Sequence, residues 1–415
     1  MQFLKKIAHI VECVLAEVLL GFPTRKINII GVTGTDGKTT TTHLIYHVIK
    51  NEGYKVGMIS SIYADTGDKI HETGFHTTTP RPWAVRSYLK RAVLSGCEYF
   101  VLETTSHALT QGRVWGILFQ SGVITNVTHE HALHFPRFDH YLRSKVSLLL
   151  QSKRAYINRD MKTFDQVRHE LVQHKKTYVT FSTKHTGAHF VWPKEMKTSL
   201  HGEYNKENIM AAYAVTSDLG VTDKQFEKAL KTFKLPKGRF DVVYNKQFTI
   251  IIDFAHTPAS FDQLLKSVRM DFFKQNRGSL IHIFGSASER DDLKRPMMGE
   301  VSAKYADMII LTEEDYRKED INKIFSDIEK GIIKKGFSYL EPNIFAEKNQ
   351  KKSYTKVPNR RDAINIGISM IMPHDTLVMT GKAHETTLNR GGKEEPWDEY
   401  AVVRKALKQH FGINV

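Results

Sequence analysis

Cysteine is scarce in this 415-residue chain, with Cys13 and Cys97 the only two. That excludes a disulfide framework and a four-cysteine zinc site, and it points to a reducing compartment, the cytoplasm. Proline is sparse too, with 12 residues, and beside 41% hydrophobic residues this excludes a disordered or fibrous chain. Acid is in deficit: 45 Asp plus Glu stand against 60 Lys plus Arg. The net charge of +15 favours anionic partners such as nucleotides, nucleic acid or acidic membrane surfaces, without choosing among them. No apolar run reaches the ~20 residues that cross a bilayer. Internal repeats and low-complexity tracts are missing, and the lysine-rich stretch 348–356 reads as a solvated loop.

The nearest approach to a membrane segment is residues 1–22. Phe3, Ile7, Ile10, Val11, Val14, Leu15, Val18 and Phe22 recur at helical spacing there, with Lys5, Lys6, His9, Glu12 and Glu17 largely off the stripe. No Ala-x-Ala-like cleavage site follows, which argues against a signal peptide. The expectation is an amphipathic helix whose stripe docks on the protein's own body, with peripheral contact to a membrane surface as the second reading.

Beyond residue 26, buried-strand patterns alternate with helix-length segments, which predicts an α/β fold with mainly parallel sheets and crossover helices. Strands are expected at 27–33, 56–60, 99–102, 123–126 and 155–158, with helices at 38–52, 83–95, 140–151 and within 205–233. The turn Leu235-Pro236-Lys237-Gly238 is the best domain boundary. A second series follows, with strands at 248–253, 279–284, 308–312 and 376–380 and helices at 259–271, 295–305, 320–330 and 361–370. The expected division is an N-terminal extension 1–26, a P-loop central domain 27–235 and a Rossmann-like C-terminal α/β domain 236–415.

The strongest chemical signal is Gly31-Val-Thr-Gly34-Thr35-Asp36-Gly37-Lys38-Thr39-Thr40, set where a strand turns into a helix. Backbone amides and the helix dipole bind phosphate at such a turn; Lys38 would reach the β- and γ-phosphates and Thr39 would offer a hydroxyl to Mg²⁺. Gly31 precedes Gly37 by six positions, where the general pattern has about five. A Mg²⁺-nucleotide needs further oxygen ligands, and Glu103 ends a buried strand. Thr128-His129-Glu130-His131 and Lys145 lie close after another strand, although a cluster of histidines can arise by chance in a chain with 20 of them.

Together these residues resemble the Mur ligase family, most closely its MurE type, the UDP-N-acetylmuramoyl-L-alanyl-D-glutamate amino-acid ligases. The resemblance spans about residues 27–407. Beside the phosphate loop it rests on His-Thr-Thr-Thr-Pro (76–80), Glu-Thr-Thr-Ser-His-Ala-Leu (103–109) and Thr-Asn-Val-Thr-His-Glu-His (125–131). Further along come Gly202-Glu-Tyr-Asn205-Lys-Glu-Asn208, Lys237-Gly-Arg239-Phe, Asp253-Phe-Ala-His256-Thr-Pro258, Glu289-Arg290-Asp291 and Gly381-Lys-Ala-His-Glu385.

The resemblance implies an ATP-dependent ligase that forms an amide bond in peptidoglycan precursor synthesis. An acceptor carboxylate attacks the γ-phosphate, and an amine then displaces phosphate from the acyl phosphate. By position, Gly34, Thr35, Asp36, Gly37, Lys38, Thr39 and Thr40 would hold the phosphates. Thr39 and Glu103 would hold one Mg²⁺, and His131 a second. Lys145 resembles a lysine that the family carbamylates to support that metal. Asn205 and Asn208 match the adenine side, Arg239 and Asp253 the γ-phosphate and ribose, and His256 a histidine beside the nucleotide. Lys38, His131, Lys145 and Arg239 are the implied catalytic set. Thr78, Thr79, Ser106, Gln111 and Arg113 resemble residues that hold the muramoyl-peptide acceptor. The implied layout places the active site between the central and C-terminal domains, in a monomer.

Two departures bear on substrate. The MurE branch carries an N-terminal UDP-binding domain of roughly a hundred residues, whereas only residues 1–30 precede the phosphate loop here. Where diaminopimelate-adding members have Asp-Asn-Pro-Arg, this chain has Glu314-Asp315-Tyr316-Arg317. Arg317 is retained from that pattern, and Arg290 matches the family's arginine for the α-carboxylate of the incoming amino acid. Glu314, Asp315, Gly381 and Glu385 line the expected pocket, whose acidity suits a diamino acid such as lysine, ornithine or diaminopimelate. A competing reading keeps the chemistry and changes the acceptor to a lipid-linked, folate-like or poly-amino-acid carboxylate. A nucleic-acid-binding P-loop module is disfavoured, since basic residues are scattered and no interleaved aromatic motif is present.

Overall fold

The computed structural model describes residues 2–72, 78–128, 138–273, 278–288 and 291–414. Two compact units divide the chain, Met1–Pro236 and Lys237–Val415, the N-terminal helix belonging to the first.

The first unit is built on a nine-stranded sheet. In spatial order its strands are Ile70–His71, Ala64–Asp65, Val56–Ile59, Tyr99–Glu103, Asn28–Thr33, Phe119–Ile124, Ser152–Asn158, Tyr178–Ser182 and Phe190–Val191. All neighbours run parallel except the first three strands, which form an antiparallel meander at one edge. Strand side chains alternate between faces. Ile30 and Val32 of the central strand therefore pack with Leu44, Ile45 and Val48 of helix Lys38–Asn51 and with Ile209 and Met210 of helix Glu203–Ser217. Ile29 packs on the opposite side with Val85 and Leu89 of helix Pro82–Leu94 and Leu148 of helix Phe138–Leu150. Burial on both faces explains why these strands read as unbroken apolar runs.

The second unit has a seven-stranded sheet in the order Asp241–Asn245, Thr249–Asp253, Thr376–Thr380, Leu280–Phe284, Met308–Leu311, Ser353–Lys356 and Ser338–Tyr339, parallel except for its first pair. Helices Pro258–Phe272, Lys294–Tyr305, Ile321–Ile333, Arg360–Ser369 and Glu399–Phe411 accompany it, together with the separate hairpin Thr387–Arg390/Lys393–Pro396. The expectation of a solvated loop at 348–356 fails in its second half. Ser353–Lys356 is a sheet strand, with Tyr354 buried and hydrogen-bonded through its hydroxyl to Glu329.

The expected orientation of the N-terminal helix is also overturned. Helix Gln2–Leu19 docks through Cys13, Ala16 and Glu17, while Ile7, Val11, Val14, Leu15 and Val18 stay exposed. Polar bonds decide the face: Glu17 accepts from Arg86 Nε at 3.1 Å and from the Thr24 hydroxyl at 2.6 Å. Glu12 accepts from the Trp83 amide at 3.1 Å. Arg86 is buried, and Glu17 is the carboxylate paired with it; breaking such a buried pair costs about 3–5 kcal/mol.

Candidate nucleotide and acyl-transfer site

The phosphate loop joins strand Asn28–Thr33 to helix Lys38–Asn51, at the carboxyl end of the central parallel strand. Ligands of open parallel sheets bind at such ends. Asn126, beyond the neighbouring strand, clamps the loop: its carbonyl accepts from the Thr35 amide at 2.9 Å and its Oδ1 from the Asp36 amide at 2.9 Å. Thr125 Oγ1 donates to the Asp36 carbonyl at 2.6 Å. Two positions require glycine. A Cβ on Gly34 would lie 1.8 Å from Thr125 Oγ1, and one on Gly37, at φ 79°, would lie 2.1 Å from Asn208 Oδ1. The loop is a cradle closed from both sides.

Two lysines converge on this loop. Lys38 Nζ donates to the carbonyls of Gly34 at 3.1 Å and Thr35 at 2.8 Å. Lys145 is 1% exposed; its Nζ donates to the same Gly34 carbonyl at 2.6 Å and sits 4.5 Å from the Tyr141 ring centre. Tyr141 in turn bonds the Thr35 hydroxyl at 3.1 Å. Beside them Thr39 Oγ1 donates to Glu103 Oε1 at 2.9 Å, and both groups are buried. A hydroxyl and a carboxylate at the mouth of a glycine cradle form the hard-oxygen donor set that Mg²⁺ takes. Thr40 is buried in the same helix turn.

Ser61, which the sequence reading did not single out, holds Glu103 in place through its amide at 2.8 Å and its hydroxyl at 2.9 Å. That hydroxyl also lies 3.1 Å from Thr78 Oγ1. Thr79 bridges the Glu103 carbonyl and the Thr105 amide, at 3.0 Å each. Its own carbonyl accepts from Arg113 Nη1 at 2.8 Å. Gln111 Oε1 accepts from Arg113 Nε and Nη2 at 3.1 and 2.9 Å, and Ser106 is buried at the start of the short helix Ser106–Thr110. Burial, with Arg81 nearby, pulls the Arg113 guanidinium below its ordinary pKa. The structure thus gathers Thr78, Thr79, Ser106, Gln111 and Arg113 around the end of the strand that carries Glu103. On the other side of the loop, Asn208 accepts from Thr41 Oγ1 at 3.4 Å and donates to Asn205 Oδ1 at 3.0 Å. His131 lies outside the described residues, and no group of three or more His, Cys, Asp or Glu able to hold a metal occurs among the described ones.

In the second unit, strands Thr249–Asp253 and Thr376–Thr380 run side by side with Asp253 opposite Thr380. Their carboxyl ends bring together Gly238, Arg239, Asp253, His256 and the 381–385 loop. Asp253 accepts from the amides of Phe240 and Ala255, both at 2.6 Å, so its carboxylate orders the loop bearing Arg239. The Arg239 guanidinium lies 4.8 Å from the Phe254 ring centre. His256 Nδ1 bonds the Phe254 carbonyl at 2.8 Å, and Lys294 caps the His256 carbonyl at 2.7 Å.

The expected acidic pocket has a different charge from the one read in the sequence. Lys382, fully buried, donates to Asp315 at 2.8 Å and to Glu385 at 2.6 Å. Burial pulls its pKa down, but those two carboxylates outweigh burial and raise it. Burial pushes the Glu314 carboxyl up, toward its neutral form. Three acids therefore do not contribute three charges, because Lys382 cancels one of the two it bonds and burial moves Glu314 toward its neutral form. Gly381 packs against Glu314 Oε2. Arg317 Nη1 donates to the Ser288 carbonyl at 2.5 Å, near the buried hydroxyls of Ser286 and Ser288, which have no hydrogen-bond partner among the described residues. Those serines are a further addition to the candidate set. Arg290 lies outside the described residues.

Comparison with known proteins agrees with this geometry. Residues 32–216 match the Mur ligase middle domain, and residues 238–383 match the Mur ligase glutamate ligase domain. The chain is 31% identical, over 94% of its length and 80% of the relative's, to the UDP-N-acetylmuramoyl-L-alanyl-D-glutamate–2,6-diaminopimelate ligase 1 of Clostridium acetobutylicum. It is 34% identical, with the same coverage, to the corresponding ligase of Aquifex aeolicus. Against the UDP-N-acetylmuramyl-tripeptide synthetase of Deinococcus radiodurans it is 31% identical, covering 95% of this chain and 81% of that one. Among solved structures, a UDP-N-acetylmuramoyl-L-alanyl-D-glutamate–2,6-diaminopimelate ligase shares the fold at TM-score 0.59 and 24% identity, covering 92% of this chain and 78% of that one. The folylpolyglutamate synthase of Mycobacterium tuberculosis, complexed with ADP, does so at 0.66 and 15%, covering 92% and 96%. On these matches the chain belongs to the Mur ligase family, whose members are ATP-dependent, amide-forming ligases.

Proposed function

We propose that this ligase joins a diamino acid to the D-glutamyl carboxylate of a UDP-N-acetylmuramoyl-L-alanyl-D-glutamate-like acceptor, consuming ATP through an acyl phosphate, as a cytoplasmic monomer. The observation that carries the reading is the glycine cradle with Lys38, Lys145 and the Thr39–Glu103 pair at its mouth. Transfer of a phosphoryl group to a carboxylate crowds negative charge, and the protein's task is to position and neutralise it. Thr39 and Glu103 would hold Mg²⁺, which supplies charge neutralisation between phosphate oxygens when bound. Lys38 takes phosphate charge at the loop. Ser61 keeps Glu103 aimed, and Arg113, fixed by Gln111, presents a cation for the acceptor. Arg317 and the Ser286 and Ser288 hydroxyls would receive the incoming amino acid, and the net negative charge that Asp315 and Glu385 keep after pairing with the single Lys382 would attract its second amine. The family resemblance further suggests a second Mg²⁺ supported by His131 and by a carbamate on Lys145.

The reading is tested by phosphate release from ATP with UDP-N-acetylmuramoyl-L-Ala-D-Glu, supplying lysine, ornithine or diaminopimelate singly, with mass spectrometry of the product. Tripeptide product with one diamino acid is expected, diaminopimelate being the residue named for the relatives. ATP binding without turnover in every combination would shift the acceptor to another carboxylate. For the carbamate, Lys145→Ala is expected to lose activity that acetate partly restores, and full activity without additive would dismiss it.

A further inference from the structure

We propose that the N-terminal helix is a docking surface for an anionic phospholipid bilayer, lying in the headgroup region with its outer face inserted. Helix Gln2–Leu19 turns Leu4, Ile7, Val11, Leu15, Val18 and Leu19 to solvent; Leu4 is 68% and Leu19 66% exposed. Projected down the axis, these positions fill an arc of roughly 120° that holds no charged residue. Both acids of the helix lie off that arc and are engaged by the body, Glu12 by the Trp83 amide and Glu17 by Arg86 and Thr24. The exposed side is therefore apolar, and cations flank it: Lys5 beside its edge, Lys6 at the rim of the docked side next to Gly112, and Arg25 and Lys26 beyond the helix.

The neighbouring surface has the same character. A groove of about 700 Å³ opens beside Lys6, lined by Trp115, Leu118, His140 and Arg143, the last also paired with Glu170 at 3.0 Å. Trp115 and Trp83 are both half-exposed, and tryptophan suits the boundary between water and acyl chains. A chain carrying +15 is repelled by a second copy of itself and attracted to an anionic surface, which decides between those two occupants. No helix among the described residues is long and apolar enough to cross a membrane, so the contact is peripheral.

The experiment is vesicle flotation of the full chain with phosphatidylglycerol-containing and pure phosphatidylcholine vesicles, comparing the unchanged protein with the Val11→Glu/Leu15→Glu double variant. The unchanged protein is expected to float with the anionic vesicles, with partitioning falling about tenfold in phosphatidylcholine and about as much in the variant. Both substituted positions are exposed, so the variant should keep the thermal unfolding midpoint and ATP turnover of the parent. Should it misfold, Lys5→Glu/Lys6→Glu replaces it, with the same loss expected on anionic vesicles. Absence of flotation, or equal flotation of parent and variant, would overturn the proposal. So would sedimentation showing a dimer that the variant breaks, since the face would then belong to a second copy.

Discussion

Lys38 and Lys145 share one acceptor, the Gly34 carbonyl, although they sit more than a hundred positions apart in the chain. Removing either leaves that carbonyl bonded to the other, so the loop should keep its shape while losing a charge. Lys38→Ala is accordingly expected to fold normally and to lose ATP turnover by roughly a thousandfold, the scale of deleting one preorganised charge from a phosphoryl-transfer site. Steady-state phosphate release with an unfolding curve checks both halves, and normal turnover would remove Lys38 from the site. At this scale much was legible beforehand. The loop, Thr39, Glu103 and the Thr78 to Arg113 group are grouped by the structure as the motifs suggested. What sequence could not show is who neutralises whom. Asp315 and Glu385 read as free acids until Lys382 is seen between them, because a charge count along a chain carries no information on pairing.

Among the elements, strands buried on both faces were the easiest to anticipate, since their apolar runs leave no alternative. Ser353–Lys356 was missed because its flanks are lysine-rich, although Tyr354 is buried in it. The hairpin Thr387–Arg390/Lys393–Pro396 went unnoticed, yet Gly391-Gly392 between its strands is a recognised two-residue turn signal. The N-terminal helix shows the limit of periodicity most clearly: a stripe announces an amphipathic helix but not which side the body will take. Here Glu17 and Arg86 make that choice. Glu17→Ala would leave Arg86 buried without its carboxylate and should destabilise helix docking by roughly 3 kcal/mol. Hydrogen exchange should then rise in Gln2–Leu19 and in residues 111–113, whose carbonyls bond His9 and Cys13. Unchanged protection would mean the pair does not hold the helix.

For the whole molecule, charge sets the response to acid. The chain is already at +15 with 20 neutral histidines, so lowering the pH adds self-repulsion. His282 adds a specific term. It is fully buried between Ser302 and Thr380, and burial, aided by Arg360, drives its pKa down to about 3. An unfolded histidine protonates near 6.5, so between about 6.5 and 3 the unfolded chain binds a proton that the folded one does not. Stability is therefore lost on acidification through that window, by about 1.4 kcal/mol per pH unit from this residue alone. His282→Gln should flatten the pH dependence of unfolding by about one proton, and an unchanged slope would exclude His282 as its source.

The order of strands in the first sheet has a consequence for synthesis. The central strand Asn28–Thr33 is made early, but its partners Tyr99–Glu103 and Phe119–Ile124 are made much later. At ~5–20 residues per second, roughly 5–20 s pass before the second of them exists. Until Tyr99–Glu103 is made the nascent chain carries an apolar strand with both edges bare, and one edge stays bare until Phe119–Ile124 follows. Chaperone demand should peak while the segment from 34 to 124 is being translated, and slowing the ribosome there should cost more soluble protein than slowing it anywhere later in the first unit.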